Sequence, residues 1–173
     1  MKKRLFGVTI ALLVVLIHAL AFTAQPAFGF LQKVLGPSVQ VASKDGEIPV
    51  TKDADLIIPV AEVTENARFY PVEIEGTKLE VIAVRASDGT IRTAFNTCQV
   101  CYASGRGYYV QQGKYLVCQN CGNRFGMDQV EVRSGGCNPL PIFPQYKEVN
   151  DREIKIKKEF FSKVREIFAN WKN

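Results

Sequence analysis

Histidine is nearly missing from this chain of 173 residues, which has one, His18. That residue sits in an apolar N-terminal run, so nothing downstream of it carries an imidazole. The absence excludes Ser/His/Asp and Cys/His catalytic arrangements from the rest of the chain and removes nitrogen ligands from any metal site there. No glycine-rich phosphate loop is present, and no internal repeat or low-complexity segment can be found. The 17 Asp and Glu residues show no spacing that singles out an acid–base pair. These absences argue against an enzyme acting on its own. Cysteine is confined to one window, Cys98 to Cys137, and none follows the apolar run closely, which excludes a lipid-modified N-terminal cysteine.

Charge is also informative by its modesty. The net +5 gathers at Lys2, Lys3 and Arg4 and in the tail from Asp151 to Asn173, where seven Lys/Arg face four Asp/Glu. Neither cluster has the aromatic interleaving or motif of a nucleic-acid surface, so no nucleic-acid partner is expected.

The three basic residues precede an apolar run from Leu5 to about Ala24, which at about 1.5 Å per helical residue is long enough to cross a bilayer core. Basic charge before the run, and none after it until Lys33, places the N-terminus in the cytoplasm and the remainder outside, on the periplasmic or extracellular face. Residues 1–29 therefore read as a signal or transmembrane anchor, with an uncleaved anchor favoured because the run exceeds a signal-peptide core. Residues 30–47, with Gly36, Pro37 and Ser38, read as a linker.

A Cys-rich β-domain is expected over residues 48–150. Short β-rich runs alternate with turn signals: Leu56 to Val63, Ala67 to Ile74, Leu79 to Arg85, Ile91 to Phe95, Tyr108 to Gln111, Tyr115 to Val117 and Val130 to Arg133. Glu75-Gly76-Thr77, Ser87-Asp88-Gly89 and Gln112-Gly113-Lys114 are hairpin turns, because glycine supplies the positive φ that such turns need. The second of these hairpins delivers Cys98 and the third delivers Cys118 at strand ends. The fold class is all-β, a small Rieske-like or zinc-ribbon-like β-hairpin sandwich.

Residues 151–173 read as a basic amphipathic helix. Phe160, Val164, Ile167, Phe168 and Trp171 recur at three- and four-residue steps, among Lys157, Lys158, Lys163, Arg165 and Lys172, over about Glu159 to Trp171. Such a helix either packs its apolar face on the β-domain or lies on the outer membrane face.

The cysteines form two C-x-x-C pairs, Cys98/Cys101 and Cys118/Cys121, separated by sixteen residues, with Cys137 as a fifth thiol. A C-x-x-C knuckle lets two sulfurs point at one ion while turn N–H groups stabilise the thiolates. A sulfur-only set favours an iron–sulfur cluster, a single iron, zinc or copper(I) over magnesium and calcium. Two alternatives stay open at this point: zinc could simply staple the domain, or one pair could act in thiol–disulfide exchange. The second lacks the βαβ context expected of thioredoxin-like proteins.

Three blocks carry a more specific likeness: Ala94 to Tyr102, Gly113 to Phe125, and Gly135-Gly136-Cys137-Asn138-Pro139. Over about Ile48 to Pro144 they resemble the FtrD-like membrane iron–sulfur protein family. The resemblance implies a membrane-attached domain associated with transport of iron or another metal, and with electron transfer to a membrane-embedded redox or transport partner. Carried over residue by residue, it marks Cys98, Cys101, Cys118, Cys121 and Cys137. A looser resemblance is to Rieske domains, through Cys118 to Cys121, Phe125, Asp128 and the Gly135-to-Pro141 stretch. Both Rieske histidines are missing; Cys101 and Cys121 stand near where they are expected. Thiolates in place of imidazoles make a cluster more negative and lower its potential towards that of Cys₄ ferredoxins.

Overall fold

The structure, a computed structural model, describes residues 47–173. The membrane anchor expected over 1–29 and all but the last residue of the 30–47 linker lie outside the described residues. Among the described residues, no helix is long and apolar enough to cross a membrane.

Among the described residues, three antiparallel-rich sheets pack with a short helix. The largest sheet contains β1 (Thr51–Lys52), β3 (Arg68–Ile74), β4 (Thr77–Arg85), β5 (Ile91–Cys98) and β9 (Pro139–Pro141), in the order β1-β3-β4-β5-β9. Only the β1–β3 pair in it is parallel. A second sheet joins β2 (Leu56–Pro59) to β10 (Lys147–Val149) and β11 (Glu153–Ile156), with β11 in the centre. The third contains β6 (Tyr109–Gln112), β7 (Tyr115–Cys118) and β8 (Arg124–Gly126), with β7 in the centre.

Strand β4 explains how these layers share a core. It is apolar on both faces, and successive side chains of a strand point to opposite sides. Leu79, Val81 and Ala83 join a cluster with Leu56 and Ile58 from β2, Ile154 and Ile156 from β11, and Phe161 and Phe168 from the C-terminal segment. Ile82 and Val84 join a second cluster with Tyr109, Leu116, Cys118 and Phe125 from the third sheet. The five-stranded sheet is thus covered on one side by the second sheet and helix, and on the other by the third sheet, which carries Cys118.

The hairpin turns fall where glycine placed them. Ile74 pairs with Thr77, leaving Glu75 and Gly76 as a two-residue loop with φ of 48° and 78°, the double positive φ of a type I′ turn. The Glu75 N–H donates to the Asp53 carboxylate at 2.7 Å, which supports a non-glycine residue in that conformation. Gln112 pairs with Tyr115 across Gly113-Lys114.

Several boundaries differ from the sequence expectation. The first run ends at Pro59 rather than Val63, because residues 60–62 form a 3-10 turn closed by the Val63 N–H to the Val60 carbonyl. Residues 130–133 are not a strand: the N–H groups of Val132 and Arg133 both donate to the Gln129 carbonyl, and Glu131 has φ of 64°, a value outside extended geometry. Glu153–Ile156, assigned to the C-terminal helix, forms β11, with Ile154 and Ile156 buried at period two. The helix, α1, is shorter than expected, spanning Lys158–Val164, followed by a 3-10 turn over Arg165–Phe168. Its apolar face packs on the β-domain, where Phe161 and Phe168 are buried and Phe95 meets Phe160, Phe161 and Phe168 at centroid distances of 5.5, 6.1 and 5.6 Å.

Candidate metal centre

Three loops bring all five cysteines together. Cys98 ends β5 and Cys101 lies just beyond it, Cys118 ends β7 with Cys121 before β8, and Cys137 precedes β9. All five are free thiols. The sulfurs of Cys98, Cys101 and Cys137 lie within 4.8 Å of one another, and so do those of Cys101, Cys118 and Cys121. Cys98, Cys101 and Cys118 are buried, Cys137 is half-buried and Cys121 is exposed, so the cluster has a dry interior and one edge at the surface.

Hydrogen bonds fix the loops to one another. In the first, the Cys101 N–H points at the Cys98 sulfur at 3.4 Å, and the Cys98 N–H donates to the Gly107 carbonyl at 2.6 Å. Only glycine fits at 107, since a Cβ there would fall 2.3 Å from the Cys101 carbonyl oxygen. In the second, the Gly122 N–H donates to the Cys118 carbonyl at 2.9 Å, and the Cys118 N–H to the Asn123 carbonyl at 3.0 Å. Gly122 has φ of 72°, which L side chains rarely adopt. The Gln119 N–H donates to the Tyr108 carbonyl at 2.8 Å, joining the second loop to the first.

The third loop is held by both others. Gln99 accepts from the Gly135 N–H at 3.1 Å and donates to the Pro139 carbonyl at 3.1 Å, so its amide brackets Cys137. The Cys137 carbonyl accepts from the Asn123 amide at 2.7 Å and the Tyr109 hydroxyl at 2.9 Å. Gly135 and Gly136, both at positive φ, supply the bend.

Asn96 acts one layer further in. Fully buried, it accepts the Tyr109 N–H at 2.7 Å and donates to the Tyr109 carbonyl at 3.2 Å and to the Glu80 carboxylate at 2.6 Å. A side chain thus replaces a backbone ladder between β5 and β6, the strands on either side of the first cysteine loop. The Asn96 carbonyl accepts from the Trp171 indole N–H at 2.7 Å, and Asn170 donates to the Ala103 carbonyl at 3.0 Å. The C-terminal segment therefore buttresses the first loop.

Crowding of the sulfurs sets their acidity. Burial pushes the Cys118 thiol up to about 12, against the N–H groups of Cys121 and Asn120. Cys137 is also pushed up to about 12, chiefly by Cys121. The Asn120 side chain pulls Cys101 down, but burial, Cys98 and Cys121 outweigh it and the net movement is upward. Burial would raise Cys98, yet the Tyr109 hydroxyl and the N–H groups of Cys101 and Val100 hold it below the usual thiol range. The Asn123 N–H does the same for exposed Cys121. Adjacent thiols resist ionising together because like charges repel; a cation among them reverses that balance.

All five cysteines singled out from the sequence meet in this cluster. Residues missed there are Asn96, Gln99, Tyr109 and Asn123, which hold the loops. Their contacts span 13 to 40 positions of chain, beyond the reach of a local motif. The five-sulfur donor set fits a thiophilic metal or an iron–sulfur group and does not fit hard cations.

No curated protein and no solved structure matches the chain. A family model does, over residues 63–168, a span that contains all three cysteine loops. On that match, the chain belongs to the family described as membrane iron–sulfur containing protein, FtrD-like.

Proposed function

We propose that this chain is a membrane-anchored electron carrier, linked to iron transport, whose centre is an iron–sulfur group held by the five-cysteine cluster. Its β-domain lies outside the cytoplasm and meets a membrane-embedded redox or metal-transport partner. The observation that carries the reading is the convergence of Cys98, Cys101, Cys118, Cys121 and Cys137 from three hydrogen-bonded loops, in a chain whose family description names an iron–sulfur protein. The basic N-terminus before an apolar run supports the topology.

Within this reading the residues divide the work. When bound, the iron–sulfur group supplies a redox couple. Cys98, Cys101 and Cys118 hold it from the dry side, and burial there limits solvent exchange. Cys121 and Cys137 stand towards solvent, where an electron has the shortest path to a partner. Hairpin tips bearing the ligands support a Rieske-like arrangement with ferredoxin-like, all-thiolate ligation. Such ligation favours a low potential.

A second reading is capture or delivery of zinc or copper(I) without electron transfer, supported by the same thiophilic donor set. The two separate on the visible absorption of the purified full chain, followed by metal and acid-labile sulfide analysis. The electron-carrier reading expects a coloured protein that bleaches on reduction. A colourless protein holding stoichiometric zinc contradicts it and favours metal handling.

A further inference from the structure

Resting on the reading that the cysteine cluster holds metal, we propose that the centre is dinuclear and that Cys101 is shared by two metal ions. Cys98 and Cys137 complete the protein ligation of one ion, and Cys118 and Cys121 that of the other.

The geometry of the sulfurs carries this. They form two trios, Cys98/Cys101/Cys137 and Cys101/Cys118/Cys121, each with every sulfur within 4.8 Å of its fellows, and Cys101 is common to both. A metal–thiolate bond of about 2.3 Å sets sulfurs on one tetrahedral ion about 3.8 Å apart. Each trio, with separations of no more than 4.8 Å, is therefore compact enough to close around one ion. A single tetrahedral ion takes four sulfurs and leaves one of five idle. A four-iron cluster assigns one cysteine to each iron and gathers no trio around any of them.

Cys137 is built in rather than idle. Its carbonyl accepts two side-chain hydrogen bonds, from Tyr109 and Asn123, and the Gln99 amide brackets its loop at Gly135 and Pro139. Four contacts hold in place a loop whose glycines at 135 and 136 both have positive φ. Cys101 is in turn fixed centrally: Gly107 presses against its carbonyl, and Ser104 donates to that oxygen from both its N–H, at 3.0 Å, and its hydroxyl, at 2.7 Å. The two C-x-x-C pairs are thus divided between the ions unequally, and the fifth thiol balances the count at two terminal sulfurs and one shared sulfur per ion.

The test is metal stoichiometry of the reduced full chain in detergent, with Zn(II) alone as one probe and anaerobic iron plus sulfide as another, measured by mass spectrometry and Mössbauer spectroscopy. Two ions per chain are expected with either probe. Cys98→Ser, Cys137→Ser, Cys118→Ser and Cys121→Ser should each retain one ion, and Cys101→Ser none. One ion or four irons per chain overturns the proposal, as does a Cys137→Ser protein that still holds two. Cys121 and Cys137, the less buried thiols, keep the test decisive if the buried variants fail to fold. Two zinc ions bound with no uptake of iron sinks the electron-carrier reading and leaves the dinuclear site standing. One iron in a redox-active protein does the reverse.

Discussion

The Tyr109 hydroxyl donates to the Cys137 carbonyl at 2.9 Å, so a residue of the β6–β7 hairpin holds the third cysteine loop. Tyr109 is otherwise buried, and burial followed by the neighbouring Cys98 raises its own pKa, keeping it a neutral donor. Tyr109→Phe removes this hydrogen bond, leaving a carbonyl that Asn123 still satisfies, and with it the hydroxyl that helps hold Cys98 below the usual thiol range. The expected cost is about 1 kcal/mol of stability, read from chemical denaturation, with metal affinity weakened about tenfold, the lower end for loss of an outer-shell partner. Unchanged affinity in a folded variant contradicts a role for this contact at the centre.

Asn96 makes three hydrogen bonds from a fully buried side chain. Asn96→Ala leaves the Tyr109 N–H without its partner, and a buried unsatisfied group costs about 1–3 kcal/mol. We expect at least that loss in the unfolding free energy, together with faster amide exchange at Tyr109 than in the parent protein. Protection of Tyr109 at parental levels contradicts the account of Asn96 as a side-chain ladder.

Much of this was legible in the sequence because it depends on local chemistry. The turn at Glu75-Gly76 and the strand ends at Cys98 and Cys118 follow from glycine placement and period-two patterning. The short proline-bearing strand Pro139–Pro141 did not stand out, since proline argues against a strand unless it lies at an edge, as this one does. Glu153–Ile156 was masked by the basic stripe after it, although its alternation of charged and apolar residues is a strand signal. Residues 130–133 misled in the other direction: Glu131 reads as an outward strand residue, yet its carboxylate turns inward to Lys147 and the Thr93 N–H. No local pattern announces a partner sixteen positions away. The cysteine pairs were readable from spacing, whereas the shared position of Cys101 depends on how three separate loops meet.

The C-terminal helix is a packing element. Phe161 is fully buried against Phe95, and truncation of a buried phenylalanine costs about 3–5 kcal/mol. Phe161→Ala should lower stability by that order in denaturant titrations. Phe168→Asp, placing a charge at a site 2% exposed, should prevent stable folding. A folded Phe168→Asp protein that leaves membranes once the 30–47 linker is cut, where the parent cut in the same way stays bound, points instead to a lipid-facing helix.

Asp55 gives the fold an acid-sensitive contact. It accepts the Lys158 N–H at the start of α1 at 3.0 Å and pairs with Lys155 at 3.1 Å. The Lys158 N–H leads in holding its carboxyl below the usual range, with Lys155 adding to it against burial. A depressed folded-state pKa contributes stability above the unfolded value of 3.8, and this is lost as pH falls through the folded pKa. Between pH 5 and pH 3, the denaturation midpoint of the parent should therefore fall more than that of Asp55→Asn. Equal falls contradict the assignment.

The central claim, that five thiolates hold a redox-active iron centre, is tested most directly by potentiometric titration of the full chain followed by visible absorption and electron paramagnetic resonance. We predict a reversible transition below about −150 mV, beneath the histidine-ligated Rieske range and towards all-cysteine ferredoxins. A protein with bound metal and no such transition, or with a potential inside the Rieske range, contradicts it.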